Sequence, residues 1–131
     1  MEVVLNKGML SFHNGRTYWH SDYSHLKLDE FLVDIHDTTE AFLKTAQEGG
    51  GGEFLIFIDF TDSEVNSRIV AELKAGAHAV GPYTKKIAAI GVKGMQRVFA
   101  NTIAMITGLD IKVFEGKEEA FLWLFKDEEE S

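Results

Sequence analysis

The fold of this chain is decided by two segments, Phe54-Leu55-Ile56-Phe57-Ile58 and Ile87-Ala88-Ala89-Ile90-Gly91-Val92. Each is a continuous apolar run bounded by turn signals, which is typical of a strand covered on both faces. Helical periodicity separates the two runs, and strands joined by a helical crossover pair in parallel. We therefore predict that the two segments lie side by side, pointing the same way, in the centre of a sheet.

In the segments before, between and after these two strands, apolar residues at intervals of three and four predict helices. Helix one is predicted within residues 24–47, helix two from Val65 to Val80, helix three from Met95 to Thr107 and a last helix over 117–126, with a short strand at 110–114 before it. Gly108 follows helix three and is a typical helix stop.

At the other end of the chain, Asn14-Gly15 separates residues 9–13 from residues 16–20. This dipeptide tolerates the positive φ angles of a tight type I′ turn and predicts an antiparallel hairpin. Residues 3–5 are predicted to add an edge strand. The predicted fold class is α/β: an N-terminal antiparallel hairpin or meander joined to a mainly parallel sheet with about four helices.

The 131 residues suit one domain spanning 1–131, with a frayed acidic tail from about residue 126. The chain has no cysteine, which excludes disulfides, thiolate zinc sites and a cysteine nucleophile and suits the cytoplasm. The net charge of -8 and pI near 5.0 disfavour binding to nucleic acid. No segment reaches the ~18 apolar residues of a membrane span, so we expect no membrane partner.

Ligands of open parallel sheets usually lie at the carboxyl ends of the strands, and this rule selects two turns. The first contains Asp59, Thr61, Asp62 and Ser63, which we interpret either as an interaction turn or as caps of helix two. The second turn contains three residues at the start of helix three that could hold an anion such as phosphate: Lys93, Gly94 and Arg97.

His20, Asp22 and His25 group two imidazoles and a carboxylate within six residues. They could ligate a metal or act as catalytic groups if they converged, but they also fit polar groups at the end of a strand. The spacing does not favour a metal site, and we predict no catalytic residue, metal or cofactor.

Helix three is apolar around more than one face, which is typical either of full burial or of a surface that meets a partner. The residues that would form such an interface, with a homodimer as the expected form, are Met95, Phe99, Ile103 and Ile106.

Four segments together resemble the STAS domain of sulfate transporters and anti-sigma factor antagonists, in the bacterial branch like the stage II sporulation AA protein. They are the strand 54–59, the turn 59–63, the strand 87–92 and the ending 111–124, whose Ala120-x-x-Trp123-Leu124 helix is the most specific part. The resemblance spans roughly residues 9 to 125 and implies a mixed sheet with helices and a role in protein–protein regulation.

The resemblance also implies a phosphorylated serine at the start of helix two, within an Asp-Ser-Ser-Gly motif. The nearest match here is Asp62-Ser63-Glu64, which lacks the second serine and the glycine. The sequence thus leads to a non-catalytic regulatory module that binds a protein of unknown identity. One alternative is a module for a small apolar ligand or lipid, which requires a sizeable closed pocket near Lys93 and Arg97; a second alternative is an enzyme.

Overall fold

The structure, a computed structural model, describes residues 8–49 and 53–126. Five strands form one sheet in the order in which they occur along the chain: β1 (Gly8–His13), β2 (Arg16–Asp22), β3 (Phe54–Asp59), β4 (Thr84–Ile90) and β5 (Ile111–Phe114). The helices are α1 (Leu28–Glu48), α2 (Ser67–Val80), α3 (Met95–Thr107) and α4 (Lys117–Leu124), with a single 3₁₀ turn at Gly81–Tyr83 between α2 and β4.

The two apolar segments pair in parallel at the centre of the sheet, as predicted. Ile56 of β3 lies opposite Ile87 of β4, and Ile58 lies opposite Ala89. The bounds of β4 differ from the predicted 87–92, because the strand starts at Thr84 and ends before Gly91. Polar residues can begin this strand because the Thr84 hydroxyl donates to the Val80 carbonyl at 2.7 Å.

The predicted hairpin is confirmed, with His13 of β1 opposite Arg16 of β2 across a two-residue turn. Asn14 and Gly15 have φ angles of 49° and 81°, the positive values that the type I′ turn requires. The predicted edge strand at residues 3–5 lies outside the described residues, as does the acidic tail beyond residue 126.

Alternation along the central strands sends neighbouring side chains into two different layers. Leu55 and Phe57 of β3 pack with α4 through Phe121 and Leu124 on one face of the sheet. Ile56, on the opposite face, packs with α1 and α2. The mainly parallel, two-faced α/β architecture is therefore confirmed.

Near the carboxyl ends of the strands, α1 and α2 share a further apolar cluster that includes Tyr23, Phe31 and Ile69. In the part of the chain that the structure describes, none of the helices has the length and hydropathy needed to cross a bilayer.

Candidate functional site: the carboxyl edge of the sheet and an apolar cavity

The carboxyl ends of β2, β3 and β4 converge through backbone hydrogen bonds that continue beyond the strands. The Tyr23 amide donates to the Asp59 carbonyl at 2.8 Å, and the Phe60 amide donates to the Ile90 carbonyl at 2.9 Å. The turns that follow β3 and β4 are consequently neighbours at one edge of the sheet. This placement agrees with the rule that selected them from the sequence.

The turn after β3 is held by its own polar side chains. The Asp59 carboxylate accepts from the Thr61 amide at 2.9 Å and from the Thr61 hydroxyl at 2.6 Å. The Ser63 hydroxyl donates to the backbone carbonyl of Tyr23. Asp59, Thr61 and Ser63 therefore stabilise the turn and join it to the chain that follows β2.

The expectation that Thr61, Asp62 or Ser63 caps helix two is wrong. The helix begins at Ser67, and Asn66 is its N-cap, with a side-chain oxygen that accepts from the Ile69 amide at 2.9 Å. The cap lies farther along the chain because the preceding residues form the turn described above.

Ser63, the serine of the nearest motif match, lies four residues before the first residue of α2 and not at the start of the helix, where the resemblance implies a phosphorylated serine. Phosphorylation of Ser63 stays a prediction. The Asn66-Ser67 pair, followed by apolar Ile69 and Leu73 at helical spacing, is a recognisable helix-start signal that the sequence interpretation missed.

Each cation proposed for an anion site has a carboxylate beside it. Lys93 Nζ lies 3.9 Å from Asp62 Oδ1, and Arg97 Nη2 lies 3.2 Å from Glu115 Oε1. Gly94, with φ of 53°, is the N-cap residue between them. All four charged side chains are well exposed, so these pairs are weak, but they reduce the attraction for an anion. Anion binding there stays a prediction.

The cluster proposed from His20, Asp22 and His25 is divided in the structure. His20 packs at 5.2 Å from the Phe57 ring, and burial lowers the pKa of His20 below its ordinary value, while nearby Asp22 opposes this shift. His25 Nδ1 instead lies 3.5 Å from Asp62 Oδ2. Across residues 8–49 and 53–126, no three acidic or histidine side chains are arranged to hold a metal ion.

The sheet and helices α1 to α3 enclose a partly open cavity of about 130 Å³. Its lining is almost entirely apolar, with contributions from the strands and from all three helices, including Trp19, Ile56, Ala89, Phe42, Ala77 and Ile103. Protein interiors are close-packed and contain few voids larger than a water molecule. A space of this size therefore needs a physical reason.

Small residues on three facing elements leave this space. Ala89 lies on the sheet, Gly76 and Ala77 on α2, and Ala100 on α3, and all four line the cavity. Leucine at the three alanine positions would extend into this gap, whereas a Cβ at Gly76 would lie 3.1 Å from Thr39 Oγ1 of α1. The cavity thus follows from the choice of side chains on elements whose positions are fixed by packing elsewhere.

Residues predicted for an interface on α3 have different surroundings in the structure. Phe99 and Ile103 line the cavity, whereas Ile106 is 51% exposed. The side chain of Met95 lies outside the described part of the chain. An interface on this helix stays a prediction, and only the outer part of the helix offers it an apolar surface.

A small group of polar side chains interrupts the apolar wall where α1 crosses β2. Trp19 Nε1 donates to Ser21 Oγ at 3.1 Å, and the Tyr23 phenol faces the hydroxyls of Ser21 and Thr38. Ser21, Tyr23 and Thr38 all line the cavity and are each less than 5% exposed. We call these three residues the polar wall.

Burial strongly raises the pKa of Tyr23, and the buried carboxylate of Asp34 contributes to the rise. Tyr23 therefore stays a neutral phenol at physiological pH. The Thr38 hydroxyl faces this phenol but makes no hydrogen bond of regular geometry to any residue in the described ranges. The polar wall is thus uncharged and includes a buried hydroxyl that can still bond.

Sequence reasoning missed the polar wall. The one available signal was the alternation Trp19-x-Ser21-x-Tyr23, which places three polar-tipped side chains on the same side of β2 and of the residue that follows it. Thr38 comes from α1, and no sequence spacing relates it to β2.

These observations define a STAS-like fold with an internal apolar cavity. A solved structure with the same architecture is an uncharacterized protein of the DUF3478 family with a SpoIIAA-like fold, from Shewanella loihica PV-4. The two chains superpose with a TM-score of 0.69 and 19% sequence identity, over 95% of this chain and 98% of the other. The predicted fold is confirmed by this similarity.

No protein-family model matches the chain, and no curated protein matches it either. At 19% identity the structural similarity establishes the fold alone. Function has to be argued from the site itself.

Proposed function

We propose that this chain is a STAS-like binding module that takes a small apolar molecule into the cavity between its sheet and helices α1 to α3. The observation that carries this proposal is the apolar cavity of about 130 Å³. An engineered apolar cavity of roughly 150 Å³ in another protein binds benzene. A ligand the size of a six-membered carbon ring therefore suits the space available here.

Binding would stabilise the folded chain, since a ligand that binds only the native state shifts the unfolding equilibrium by mass action. The ligand would restore the dispersion contacts that the small lining residues leave unmade. The small-ligand alternative predicted a closed pocket near Lys93 and Arg97, whereas the cavity is partly open and neither residue lines it. The proposal therefore depends on the apolar lining and includes no role for these two cations.

Toluene titrations of two alanine-to-leucine variants on the same helix test the proposal. Ala77 lines the cavity, whereas Ala75 is exposed and does not line it. Ala77→Leu is expected to weaken toluene binding at least about tenfold, because the added carbons occupy the ligand's space. Dissociation constants would be measured by NMR titration.

Ala75→Leu makes the same change in composition and helix propensity and should bind toluene like the wild type. Equal binding by both variants, or no binding of toluene to the wild type near its solubility limit, would contradict the proposal.

We propose contact with another protein as a second function, and we assign the partner as a second copy of this chain. The outer side of α3 exposes Val98, Met105 and Ile106, which are 55%, 85% and 51% exposed. No charged residue occurs between Val98 and Thr107. A chain with a net charge of -8 repels its own copies, so self-association favours an uncharged surface of this kind.

Light scattering tests this second function through one substitution on α3 and one on α4. Met105→Glu is expected to convert a dimer to a monomer, because it buries a charge in the contact. Leu122 is 77% exposed on α4, so Leu122→Glu provides the matched control and should leave the dimer intact. A monomeric wild type, or loss of the dimer in the control alone, would refute the assignment.

The regulatory role implied by the resemblance would use the same outer side of α3. Because the inner side of this helix lines the cavity, a bound molecule and a protein partner would meet opposite faces of one helix.

A further inference from the structure

The polar wall gives the cavity a chemical preference that an all-apolar lining would not have. Trp19 and Ser21 of β2, together with Tyr23 directly after this strand, form a chain of polar groups that reaches Thr38 on α1. The Thr38 hydroxyl is buried, and its contact with the Tyr23 phenol falls short of regular hydrogen-bond geometry. It therefore recovers only part of the bonding that it loses on leaving water. A ligand that supplied a regular hydrogen bond would recover the rest.

The electrostatic environment of the polar wall determines which polar group of a ligand can lie beside it. Asp34 is also buried, at 3% exposed, and its carboxyl contributes to the raised pKa of the Tyr23 phenol. A second carboxylate brought beside it into an apolar interior would be strongly disfavoured. A neutral hydroxyl can donate or accept, and it therefore fits hydroxyl neighbours in either direction.

We propose that the cavity selects a ring-sized apolar molecule with a single uncharged hydroxyl, an alcohol or phenol, whose hydroxyl bonds to Thr38 and Tyr23. This inference rests on the proposed function and specifies the class of its ligand. The apolar part of the ligand fills the space beside Ala77 and Ala89, while the hydroxyl lies at the α1 side of the cavity.

Three probes with the same ring test the inference: toluene, phenol and benzoate. Phenol and toluene differ by a hydroxyl in place of a methyl group, and phenol is uncharged at pH 7. The quantity to measure is the ratio of phenol affinity to toluene affinity, because this ratio cancels the contribution of the ring.

Thr38→Val keeps the shape of the side chain and removes its hydroxyl. The affinity ratio is expected to fall about tenfold in this variant and to recover in Thr38→Ser, which restores the hydroxyl. Benzoate is expected to bind the wild type at least about a hundredfold more weakly than phenol does. Thermal unfolding of each variant would establish that it remains folded.

The outcomes separate the two proposals. If toluene binds the wild type but the ratio is unchanged in Thr38→Val, or if benzoate binds as tightly as phenol, the hydroxyl selection is overturned and the cavity function stands. If neither toluene nor phenol binds the wild type, both proposals fall. If Thr38→Val unfolds, Tyr23→Phe replaces it, and the same fall in the ratio is expected.

Discussion

Gly91→Ala is expected to destabilise the protein by more than about 3 kcal/mol. Gly91 has a φ of 77°, and a Cβ built there would lie 2.3 Å from the Thr61 amide nitrogen and 2.6 Å from Thr61 Cα. The obstacle is backbone, so no side-chain rotation can relieve it. The two turns at the carboxyl edge of the sheet would have to separate, and the measurement is the free energy of unfolding in urea.

Gly108→Ala is the matched control for this substitution. Gly108 also has a positive φ, at 73°, but nothing lies within 4 Å of its added Cβ. The free energy of unfolding of Gly108→Ala should fall by only about 1 kcal/mol, which is the cost of the left-handed backbone conformation for a residue with a Cβ. Similar losses in the two variants would contradict the close approach between Gly91 and Thr61.

Phe31→Ala is expected to cost about 3–5 kcal/mol in the free energy of unfolding. Phe31 is completely buried, and its ring lies 5.0 Å from the ring of Tyr23 and 6.1 Å from that of Phe60. Removing the ring leaves a void between α1 and the carboxyl ends of β2 and β3. It also removes the support that holds Tyr23 in the polar wall.

Phe12→Ala makes the same substitution on the surface, where the side chain is 73% exposed. Its effect should stay within about 0.5 kcal/mol. Denaturant unfolding of both variants would give the comparison. A loss below about 2 kcal/mol for Phe31→Ala would show that α1 is not packed against the strand ends as described.

The cavity and the outer side of α3 are two surfaces of one structural element. Ile103 lines the cavity, while Met105 on the outer side is 85% exposed. A ligand that restored contacts on the inner side would hold α3 more firmly against the sheet. If a protein on the outer side stabilised the same position of α3, each partner would strengthen the binding of the other by the same factor.

The order of the elements and the parallel pairing of the central strands could be predicted from local sequence patterns. The continuous apolar runs at 54–58 and 87–92 are a local property of the chain, and the helical crossover between them leaves parallel pairing as the favoured arrangement. The Asn14-Gly15 turn is determined in the same local way, since only a few residue types accept its positive φ angles.

Helix starts were less predictable, as the cap of α2 shows. Three residues suited to capping, Thr61, Asp62 and Ser63, precede Asn66, and N-cap preference does not separate Asp62 and Ser63 from Asn66. Hydrogen bonds from Ser63 to Tyr23 and from Thr61 to Asp59 assign those side chains to the turn. The first of these bonds joins residues 40 positions apart, which no local pattern encodes.

The candidate site, in contrast, could not be predicted from local patterns, because it is formed by residues from separate elements. The cavity depends on small residues from β4, α2 and α3 facing one another, and the polar wall depends on Thr38 of α1 meeting Tyr23 after β2. Each residue alone is ordinary: an alanine in a buried strand or a threonine in a helix. The volume of the cavity and the position of the Thr38 hydroxyl beside Tyr23 both depend on distances between elements. These distances are set by packing throughout the core and not by any one segment.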